Sequence, residues 1–570
     1  MSTARATTAA LSFVDALFSG RLGRELFRYP VQEEPDRAEG DALVAGLGAF
    51  LHARLDPDRV DLTGTLPEGF LEDLRASGYL KLCLGPEVGG LGLSAFNAFR
   101  AIEHAAGFCM PAGQMLAIQA GVGAPALLPA LPPGALREFV AERLADGAVS
   151  GFGLTEPTGQ NNAWPGTTAT LSADGSVYVL KGEKVFTGHG PVADLLPVAA
   201  TEHTADGRRL CICFVDTSAA GFEVASRIEF LGSRGLPNGA LRLDGVEVPA
   251  GHVVRSAPED PRFPERMASA VLVGQLYFTA APALAIAKLC RRWSGEFVVR
   301  RRINGRGLGE YDEIQRMLGA TLAEVYAMES VVRWGLVGSG PDDRWFERLT
   351  AKNLAVRTCW RIVDRTVSLY GAEGIETLPS KRRRGAVPVP LERRLRDARG
   401  LRIAGNVDFQ LDSQAARRLL TGFAAMAEDG AADLGGRLGA EHTAEDDLSE
   451  ANAAHLSAVR EEVLRFRRIC LDLTRRHPRQ EDLFDQEHTV ILLGRVAAEL
   501  FAMYAVLARA AAEPSAGGED GPQLADVYCT SARHRLADQW RRLTAVTEPD
   551  YAGISRRWLA EGLPRLTAAG

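Results

Sequence analysis

The residues of this 570-residue chain whose types and spacing could do chemistry include eight cysteines, the glycines of a tight loop and two basic runs. The eight cysteines are scattered, and only Cys211 and Cys213 are close together, so neither a zinc site nor a disulfide framework is predicted. Glycines in the loop 85–92 permit positive φ angles and close approach of the backbone to a neighbouring group, although a plain loop between helices would look the same. Two basic runs, 300–307 and 381–384, are most simply solvated loops, and contact with an anionic partner is the alternative.

The segment 151–190 has the most informative pattern, and the rest of the chain is organised around it. It begins with the sequence FGLTEP at 152–157, which reads as a strand that breaks into a loop at the proline. Segments rich in β-branched and aromatic residues follow at 167–172 and 177–181, and the Asp-Gly between them supplies the turn of a β-hairpin. Another short strand is predicted over 180–186.

Composition indicates an ordinary globular protein with several domains. Apolar residues make up 46% and charged residues 24% of the chain, which is too long for one hydrophobic core. The net charge is −7, and acidic and basic residues are well mixed along the sequence, so no nucleic-acid partner is expected. The first 20 residues read as an amphipathic helix rather than a signal peptide, and no window predicts a transmembrane segment. The expectation is a cytoplasmic protein with free thiols.

Hydrophobic periodicity divides the chain into parts. Residues 1–148 read as an N-terminal helical domain, and the period changes to two over 149–257, where a middle β-domain is expected. Residues 258–427 return to long apolar helices, which predict a four-helix bundle. A linker at 428–447, rich in Gly, Ala and acids, leads to a C-terminal helical domain at 448–570. The predicted fold class is mainly α with a central β-domain.

The same periodicity predicts the individual elements. Strands are expected at 198–200, 210–215, 222–225 and 240–246. Helices are expected at 41–55, 66–77, 95–106, 266–292, 318–335, 343–370, 411–426, 448–476, 487–512 and 524–547. The helix at 266–292 is apolar almost all round, so we expect it to be buried inside the bundle.

These patterns resemble the acyl-CoA dehydrogenase family over nearly the whole chain. The Thr-Glu-Pro loop with its hairpin, the sequence PEVGGLG at 86–92, and the sequences FLGSRG and DGVEVP at 230–235 and 244–249 are similar to family motifs. The beginning, SFVDALFSG at 12–20, and the C-terminal helices look like the very-long-chain members, which carry a second helical domain. The resemblance implies the acyl-CoA dehydrogenase fold, an FAD cofactor, an acyl thioester substrate and a homodimer.

The resemblance also implies a reaction in which a carboxylate removes the α-proton of the thioester while the flavin takes a hydride from the β-carbon. The usual base follows an Arg-Asp pair, present here at 396–397, but Gly405 or, with one gap, Ala404 stands at the glutamate position. A known variation places the base at the start of the buried helix in a Glu-Arg pair, which matches Glu265 and Arg266. Glu265 is therefore the candidate base, and Arg266 and Gly405 are candidate substrate contacts. A solvated acid in a first helical turn would have the same sequence.

Further positions correspond to FAD contacts in the family. The candidates are Phe152, Leu154, Thr155, Asn161, Phe186, Gly188, Arg291, Ser294, Ser368, Gly371, Ala372 and Val407. Asn161 is also a candidate substrate contact, and Arg291 would lie on the flavin diphosphate of the neighbouring subunit. Phe186 replaces a tryptophan on the flavin face, and Gly188 replaces a hydroxyl that hydrogen-bonds the ring. If each lost donor contributes about 1 kcal/mol, the affinity for flavin falls by a few orders of magnitude unless other residues compensate.

Three functions are compatible with these residues. The first is FAD-dependent α,β-dehydrogenation of an acyl thioester of coenzyme A or a carrier protein, in fatty acid or specialised metabolism, with an electron acceptor of unknown identity. The second is a flavin-dependent monooxygenase on the same fold. The third is a catalytically decayed homologue that acts as a binding protein. In the first case the basic runs could contact the phosphates of coenzyme A or an acidic carrier.

Overall fold

The computed structural model describes residues 12–22, 27–160, 162–256, 271–338, 344–428, 448–513, 520–545 and 549–567. The helices that precede the sheet are α1 (Phe13–Ser19), α2 (Glu34–Arg54), α3 (Pro57–Thr63), α4 (Phe70–Ser77), α5 (Ala95–Phe108), α6 (Met110–Gly121), α7 (Ala124–Leu127) and α8 (Ala135–Ala145). Helix α4 begins later than predicted because Gly69 adopts a φ of 77°, outside the helical region. Helix α5 is confirmed, and the hydroxyl of Ser94 caps it by accepting a hydrogen bond from the amide of Asn97.

A sheet follows these helices with the strand order β5-β6-β2-β1-β3-β4-β7. Its strands are β1 (Thr168–Leu171), β2 (Val177–Gly188), β3 (Leu195–Thr204), β4 (Gly207–Asp216), β5 (Phe222–Arg227), β6 (Asn238–Pro249) and β7 (Val253–Arg255). Strands β1 and β2 form the predicted hairpin, with Thr168 opposite Lys181. The separate strand predicted over 180–186 is wrong, because β2 runs on to Gly188 and accommodates the change of register with β-bulges against β6.

The chain then returns to helices. Residues 271–275 are helical (α9), and a π-helical turn at Leu276–Ala280 leads into α10 (Ala281–Arg300). Next come α11 (Asp312–Leu336), α12 (Trp345–Tyr370), α13 (Ala372–Ile375), α14 (Leu378–Arg383), α15 (Leu391–Leu401) and α16 (Asp408–Glu428). The expected burial of the apolar helix is confirmed over its described part, where Ile286, Ala287 and Cys290 are fully buried.

The two basic runs take up local structure. The first forms a small hairpin of β8 (Arg302–Ile303) and β9 (Arg306–Gly307), whose strand residues are largely exposed. The second belongs largely to α14, where Lys381 is buried and donates a hydrogen bond to the carbonyl of Val389. The first run is therefore solvated as predicted, while one lysine of the second supports the fold.

The C-terminal helices are α17 (Glu450–Arg476), α18 (Gln480–Phe484), α19 (Glu487–Ala512), α20 (Gly521–Leu543) and α21 (Tyr551–Thr567). They share a core with α1 and the bundle. The ring of Phe13 lies 6.3 Å from Phe346, 5.5 Å from Phe501 and 5.5 Å from Tyr504, so three distant parts of the chain meet in one aromatic cluster. The domain boundaries predicted from sequence stay predictions.

Within the part of the chain that the structure describes, two helices reach the length and mean hydropathy of a membrane span. They are Val271–Arg300 and Glu487–Ala512, and 67% and 78% of their most apolar windows are buried inside this fold. Core helices of a globular protein pass the same test, so this observation is weak evidence for a membrane.

Helices α6 and α9 cross in unusually close contact. A Cβ atom on Gly274 would stand 1.6 Å from the carbonyl oxygen of Gly121, and a Cβ on Gly121 would stand 2.3 Å from the Cα of Gly274. Backbone cannot yield as a flexible side chain can, so only glycine fits at either position. This contact sets the distance between the N-terminal helices and the start of the bundle.

We therefore expect Gly274→Ala to lower the free energy of unfolding by about 3 kcal/mol, because the two helices must separate to admit a methyl group. The control is Gly319→Ala in α11, where a Cβ would meet nothing within 4 Å and the better helix propensity of alanine should stabilise by about 0.5–1 kcal/mol. Urea unfolding measures both. Equal stability of Gly274→Ala and the unchanged protein would contradict the close crossing.

Candidate functional site

The Thr-Glu-Pro loop is anchored by a buried ion pair. The carboxylate of Glu156 accepts hydrogen bonds from the Lys184 ammonium at 2.8 Å, from the Gly166 amide at 2.6 Å, and from both the amide and the hydroxyl of Thr167. The side chains of Lys184 and Glu156 are only 0% and 7% exposed. Burial alone would raise the pKa of Glu156, but these four donors outweigh it and lower the pKa to about 2. Glu156 is therefore an anchor for the loop and stays ionised.

Backbone pairing places this loop between two strands. The amide of Gly153 donates to the carbonyl of Pro197 on β3, and the amide of Val185 on β2 donates to the carbonyl of Thr155. Two of the predicted flavin contacts, Leu154 and Thr155, are thereby brought beside β2. The strand predicted to break into a loop at the proline does not form: isolated bridges join Ser150 and Gly153 to β3, and the segment between them and Pro157 is irregular.

The end of β2 carries a strained and exposed aromatic residue. Phe186 adopts a φ of 55°, which is an outlier for a bulky residue, and it is 58% exposed. Its ring centroid is 6.2 Å from that of Phe230. Two leucines are also exposed: Leu154 on the Thr-Glu-Pro loop, which pairs with β2, and Leu231, which follows Phe230 in the chain. We call these four residues the Phe186 surface. Because the backbone of Phe186 is strained and its apolar ring is exposed, the residue is better suited to binding a ligand than to packing in the core.

Gly188 is the last residue of the same strand, two residues after Phe186, and its surroundings explain why it is a glycine. A Cβ at this position would stand 2.6 Å from the Cδ1 atom of Ile118 on α6. A serine or threonine hydroxyl would therefore displace Ile118. The side-chain Nδ2 atom of Asn238, which pairs with Gly188 across the sheet, is 3.9 Å from the same point. The Oδ1 atom of Asn238 is buried without a hydrogen-bond partner, and sequence patterns gave no signal for this residue.

A buried histidine follows immediately. His189 also has a positive φ, of 62°, and its Nδ1 atom is 2.9 Å from the carbonyl oxygen of Ser150. Burial lowers the pKa of His189 to about 4, although the hydrogen bond with the Ser150 carbonyl opposes this shift. The imidazole is therefore neutral near pH 7 and holds the turn after β2 against the start of the Thr-Glu-Pro loop.

A second group of predicted flavin contacts gathers where α10 meets α12. Ser294 is buried, and its hydroxyl donates to the Thr366 hydroxyl at 3.4 Å. Ser368 is exposed and donates to the Asp364 carbonyl. Gly371 has a φ of 58° with no atom near its missing Cβ, so it leaves an open approach to the backbone.

The remaining members of this group flank it. Ala372 is exposed at the start of α13, directly after Gly371. Arg291 lines a separate cavity of about 1030 Å³ between α2, α5, α10 and α11, together with Lys288 and Glu329. Lys288 there pairs with Glu103 at 2.6 Å and with Glu329 at 3.2 Å, so this cavity is strongly charged.

The loop that carries Gly405 and Val407 connects α15 with α16. Gly405 adopts a φ of 62°, and a Cβ there would stand 3.7 Å from the Cγ of Gln275 and 3.8 Å from the Cγ2 of Thr279. Val407 is half-buried. Glu265, Arg266 and Asn161 lie outside the described residues, so their predicted roles stay predictions.

A buried lysine donates a hydrogen bond to the backbone of this loop. The Lys352 ammonium on α12 is fully buried and donates to the carbonyl oxygen of Asn406 at 2.9 Å. Burial lowers the pKa of Lys352 from 10.5 to about 7, and the nearby carboxylates of Asp408 and Asp412 oppose that shift. Periodicity alone marks this position as a helix residue and gives no sign of the contact.

The lowered pKa of Lys352 predicts a pH dependence of stability. Between about pH 7 and 10.5 the unfolded lysine binds a proton that the folded one has lost, so the stability of the unchanged protein relative to Lys352→Met should rise with pH, by about 1 kcal/mol per pH unit. Below pH 7 both states are protonated and the difference should level off. Urea unfolding of both proteins across this range measures it, and a pH-independent difference would contradict the assigned burial.

Parts of the sequence match models of known protein domains and a known relative. Models of the acyl-CoA dehydrogenase N-terminal, middle and C-terminal domains match residues 37–148, 151–246 and 277–420. The probable acyl-CoA dehydrogenase FadE10 of Mycobacterium tuberculosis is 28% identical over 398 residues, which are 69% of this chain and 60% of that protein. The chain thus matches about three-fifths of the length of that relative.

Two further comparisons extend over nearly the whole chain. The mitochondrial very long-chain specific acyl-CoA dehydrogenase of Bos taurus is 23% identical over 578 residues, covering 95% of this chain and 85% of that protein. The crystal structure of an acyl-CoA dehydrogenase complexed with FAD from Bacillus anthracis superposes with a TM-score of 0.75 at 18% identity, covering 96% of this chain and 94% of the other. This chain therefore belongs to the acyl-CoA dehydrogenase family, which confirms the family and the fold class that its sequence predicts.

Proposed function

We propose that this protein catalyses FAD-dependent α,β-dehydrogenation of an acyl thioester. The observation that carries the proposal is the Phe186 surface, where a strained aromatic residue is exposed beside the anchored Thr-Glu-Pro loop. FAD is the cofactor of the family, so the predicted cofactor is confirmed at that level. The relative from Bacillus anthracis carries FAD on the same fold, which supports extending it to this chain.

The described residues fit a flavin. Phe186 offers an aromatic face, and Leu154 and Thr155 flank it on the loop that pairs with β2. Gly371 offers open backbone for the remainder of the cofactor or for that of a neighbouring subunit. The flavin, when bound, accepts the hydride that leaves the β-carbon of the substrate. The protein would orient the ring on the Phe186 surface.

Proton removal needs a free carboxylate near the thioester. Glu156 and Asp408, the described carboxylates of the Thr-Glu-Pro and Gly405 loops, are ion-paired with Lys184 and Arg402. Gly405 has no side chain, and its positive φ disfavours any replacement. We therefore propose Glu265, which the sequence predicts at the start of the buried helix, as the base, with Arg266 and Gly405 beside the thioester.

The finer points of the proposal concern partners. The thioester carrier is coenzyme A or a carrier protein, and the acyl group belongs to fatty acid or specialised metabolism. A homodimer would let Arg291 and Gly371 of one subunit approach the FAD of the other. The exposed basic hairpin at 300–307 offers a contact for the phosphates of either carrier.

A flavin-dependent monooxygenase is the second candidate. The observation that favours it is the absence of a side chain at Gly405, in the loop where the family usually carries its base. A hydroxylase needs no carboxylate at the α-carbon, so it would tolerate this loss. The two functions differ in their dependence on Glu265.

We expect Glu265→Gln to retain FAD but to slow the bleaching of the flavin by an acyl thioester by at least about a thousandfold, because general-base catalysis contributes up to about four orders of magnitude. The matched control is Glu247→Gln, an exposed acid on β6, which should react at the unchanged rate. Stopped-flow absorbance under anaerobic conditions measures both. Oxygen-dependent product formation that survives in Glu265→Gln would favour the monooxygenase instead.

Replacement of Phe186 should change both the affinity for FAD and the stability of the apoprotein. We expect Phe186→Gly to weaken FAD binding by about tenfold, because the aromatic face is lost. The same change should keep or raise the stability of the apoprotein, by about 1 kcal/mol, because glycine adopts a φ of 55° without strain. Leu171→Ala, an exposed apolar change on β1, is the control and should alter neither quantity. Unchanged FAD affinity in Phe186→Gly would refute the assigned surface.

A further inference from the structure

The C-terminal helices contact the bundle at a point that leads to the Gly405 loop. Helix α19 crosses the first turns of α16 so closely that a Cβ on Gly494 would stand 2.1 Å from the carbonyl oxygen of Asp412. Two backbones therefore touch here without an intervening side chain. The contact fixes the position of α16 along the surface of α19.

Asp412 is also held by its side chain. Its carboxylate is 3% exposed and accepts a hydrogen bond from the Nε atom of Arg495 on α19 at 2.9 Å. Arg357 on α12 lies 3.4 Å from the same oxygen, and the amide of Asn353 donates to the other oxygen at 2.6 Å. A residue of the C-terminal helices thus shares one buried carboxylate with two residues of the bundle.

The bonds continue from α12 to the loop. Asn353 donates to the carbonyl of Asp408 at 2.8 Å as well as to Asp412, and its neighbour Lys352 donates to the carbonyl of Asn406 at 2.9 Å. Arg402 closes the loop from the other side through two hydrogen bonds to the Asp408 carboxylate. Two successive residues of α12, Lys352 and Asn353, therefore hold the backbone of residues 406–408 by hydrogen bonds. Asn353 also donates to Asp412, whose carboxylate accepts a hydrogen bond from Arg495.

We propose that the C-terminal helices position the Gly405 loop through Gly494 and Arg495, and that Arg495 is a positioning residue for thioester binding. The first part concerns the fold alone. The second part rests on the proposed function, in which this loop borders the thioester. Gly405 has no side chain that could anchor the loop. Asn406 also has a positive φ, of 79°. Such a backbone needs external support to keep one conformation.

The test compares two variants with a matched control. Arg495→Ala removes the bond to Asp412, and Gly494→Ala pushes α19 away from α16 without changing any charge. The control is Arg417→Ala, which breaks another link between α16 and the C-terminal helices, where Arg417 donates to the Phe484 carbonyl at 2.9 Å and lies 3.6 Å from Glu487. This second link lies farther along α16 from the loop.

Hydrogen exchange of peptides covering 402–408 is the first readout, measured on the full-length protein. We expect exchange of these amides to accelerate at least about tenfold in both variants and to stay unchanged in the control. Peptides from the middle of α19 report whether the C-terminal helices remain folded. Unchanged exchange at 402–408 in both variants, with α19 folded, would overturn the proposal.

The second readout is steady-state turnover with an acyl thioester that bleaches the flavin of the unchanged protein. A positioning role predicts a rise in KM of about tenfold for Arg495→Ala, larger than any fall in kcat, because binding geometry is lost while the base is retained. Accelerated loop exchange with unaltered KM would overturn the role in thioester binding. If no thioester bleaches the unchanged protein, the proposed function fails, whereas the exchange measurement still decides the structural claim.

Discussion

The buried ion pair between Glu156 and Lys184 is the interaction on which the rest of the candidate site depends. It joins the Thr-Glu-Pro loop to the middle of β2, and the remaining lone pairs of the carboxylate are satisfied by Gly166 and Thr167. Removal of one partner from such a pair typically costs about 3–5 kcal/mol, because the other charge stays buried alone. The pair therefore fixes which atoms of the loop face the exposed end of β2.

The last residues of β2 and the turn that follows the strand depend on this ion pair. Phe186 and His189 both have positive φ angles, which the surrounding structure must stabilise by about 1–3 kcal/mol each. His189 binds the carbonyl of Ser150, so the start of the loop and the end of the strand are tied at a second point. Ile118 and Asn238 complete the surroundings of Gly188 from α6 and β6. An exposed apolar surface is thus held rigidly by polar contacts behind it.

Much of the fold could be predicted from the sequence because its signals are local. An Asp-Gly turn between β-branched segments identifies the hairpin, and apolar spacing identifies α5, α10 and α19. The separate strand predicted over 180–186 is wrong because Gly182, with a φ of 154°, and the bulges against β6 let β2 continue as one strand. Bulges depend on the pairing of strands, which a single segment does not reveal.

The site was less predictable because its contacts join residues far apart in the chain. The family resemblance implies that Gly188 is the loss of a hydroxyl, whereas Ile118, seventy residues earlier, fills that volume and the Nδ2 atom of Asn238 lies 3.9 Å from the same point. The support of the Gly405 loop by Lys352 and Arg495 has no sequence pattern of its own. These residues look like ordinary helix positions until tertiary structure brings them together.

A structure of the protein with bound FAD tests the central claim most directly. We expect the flavin ring to lie in van der Waals contact with the Phe186 side chain, with Leu154 and Thr155 along its edge. A ring bound elsewhere, or a Phe186 side chain still facing solvent in the complex, would contradict it.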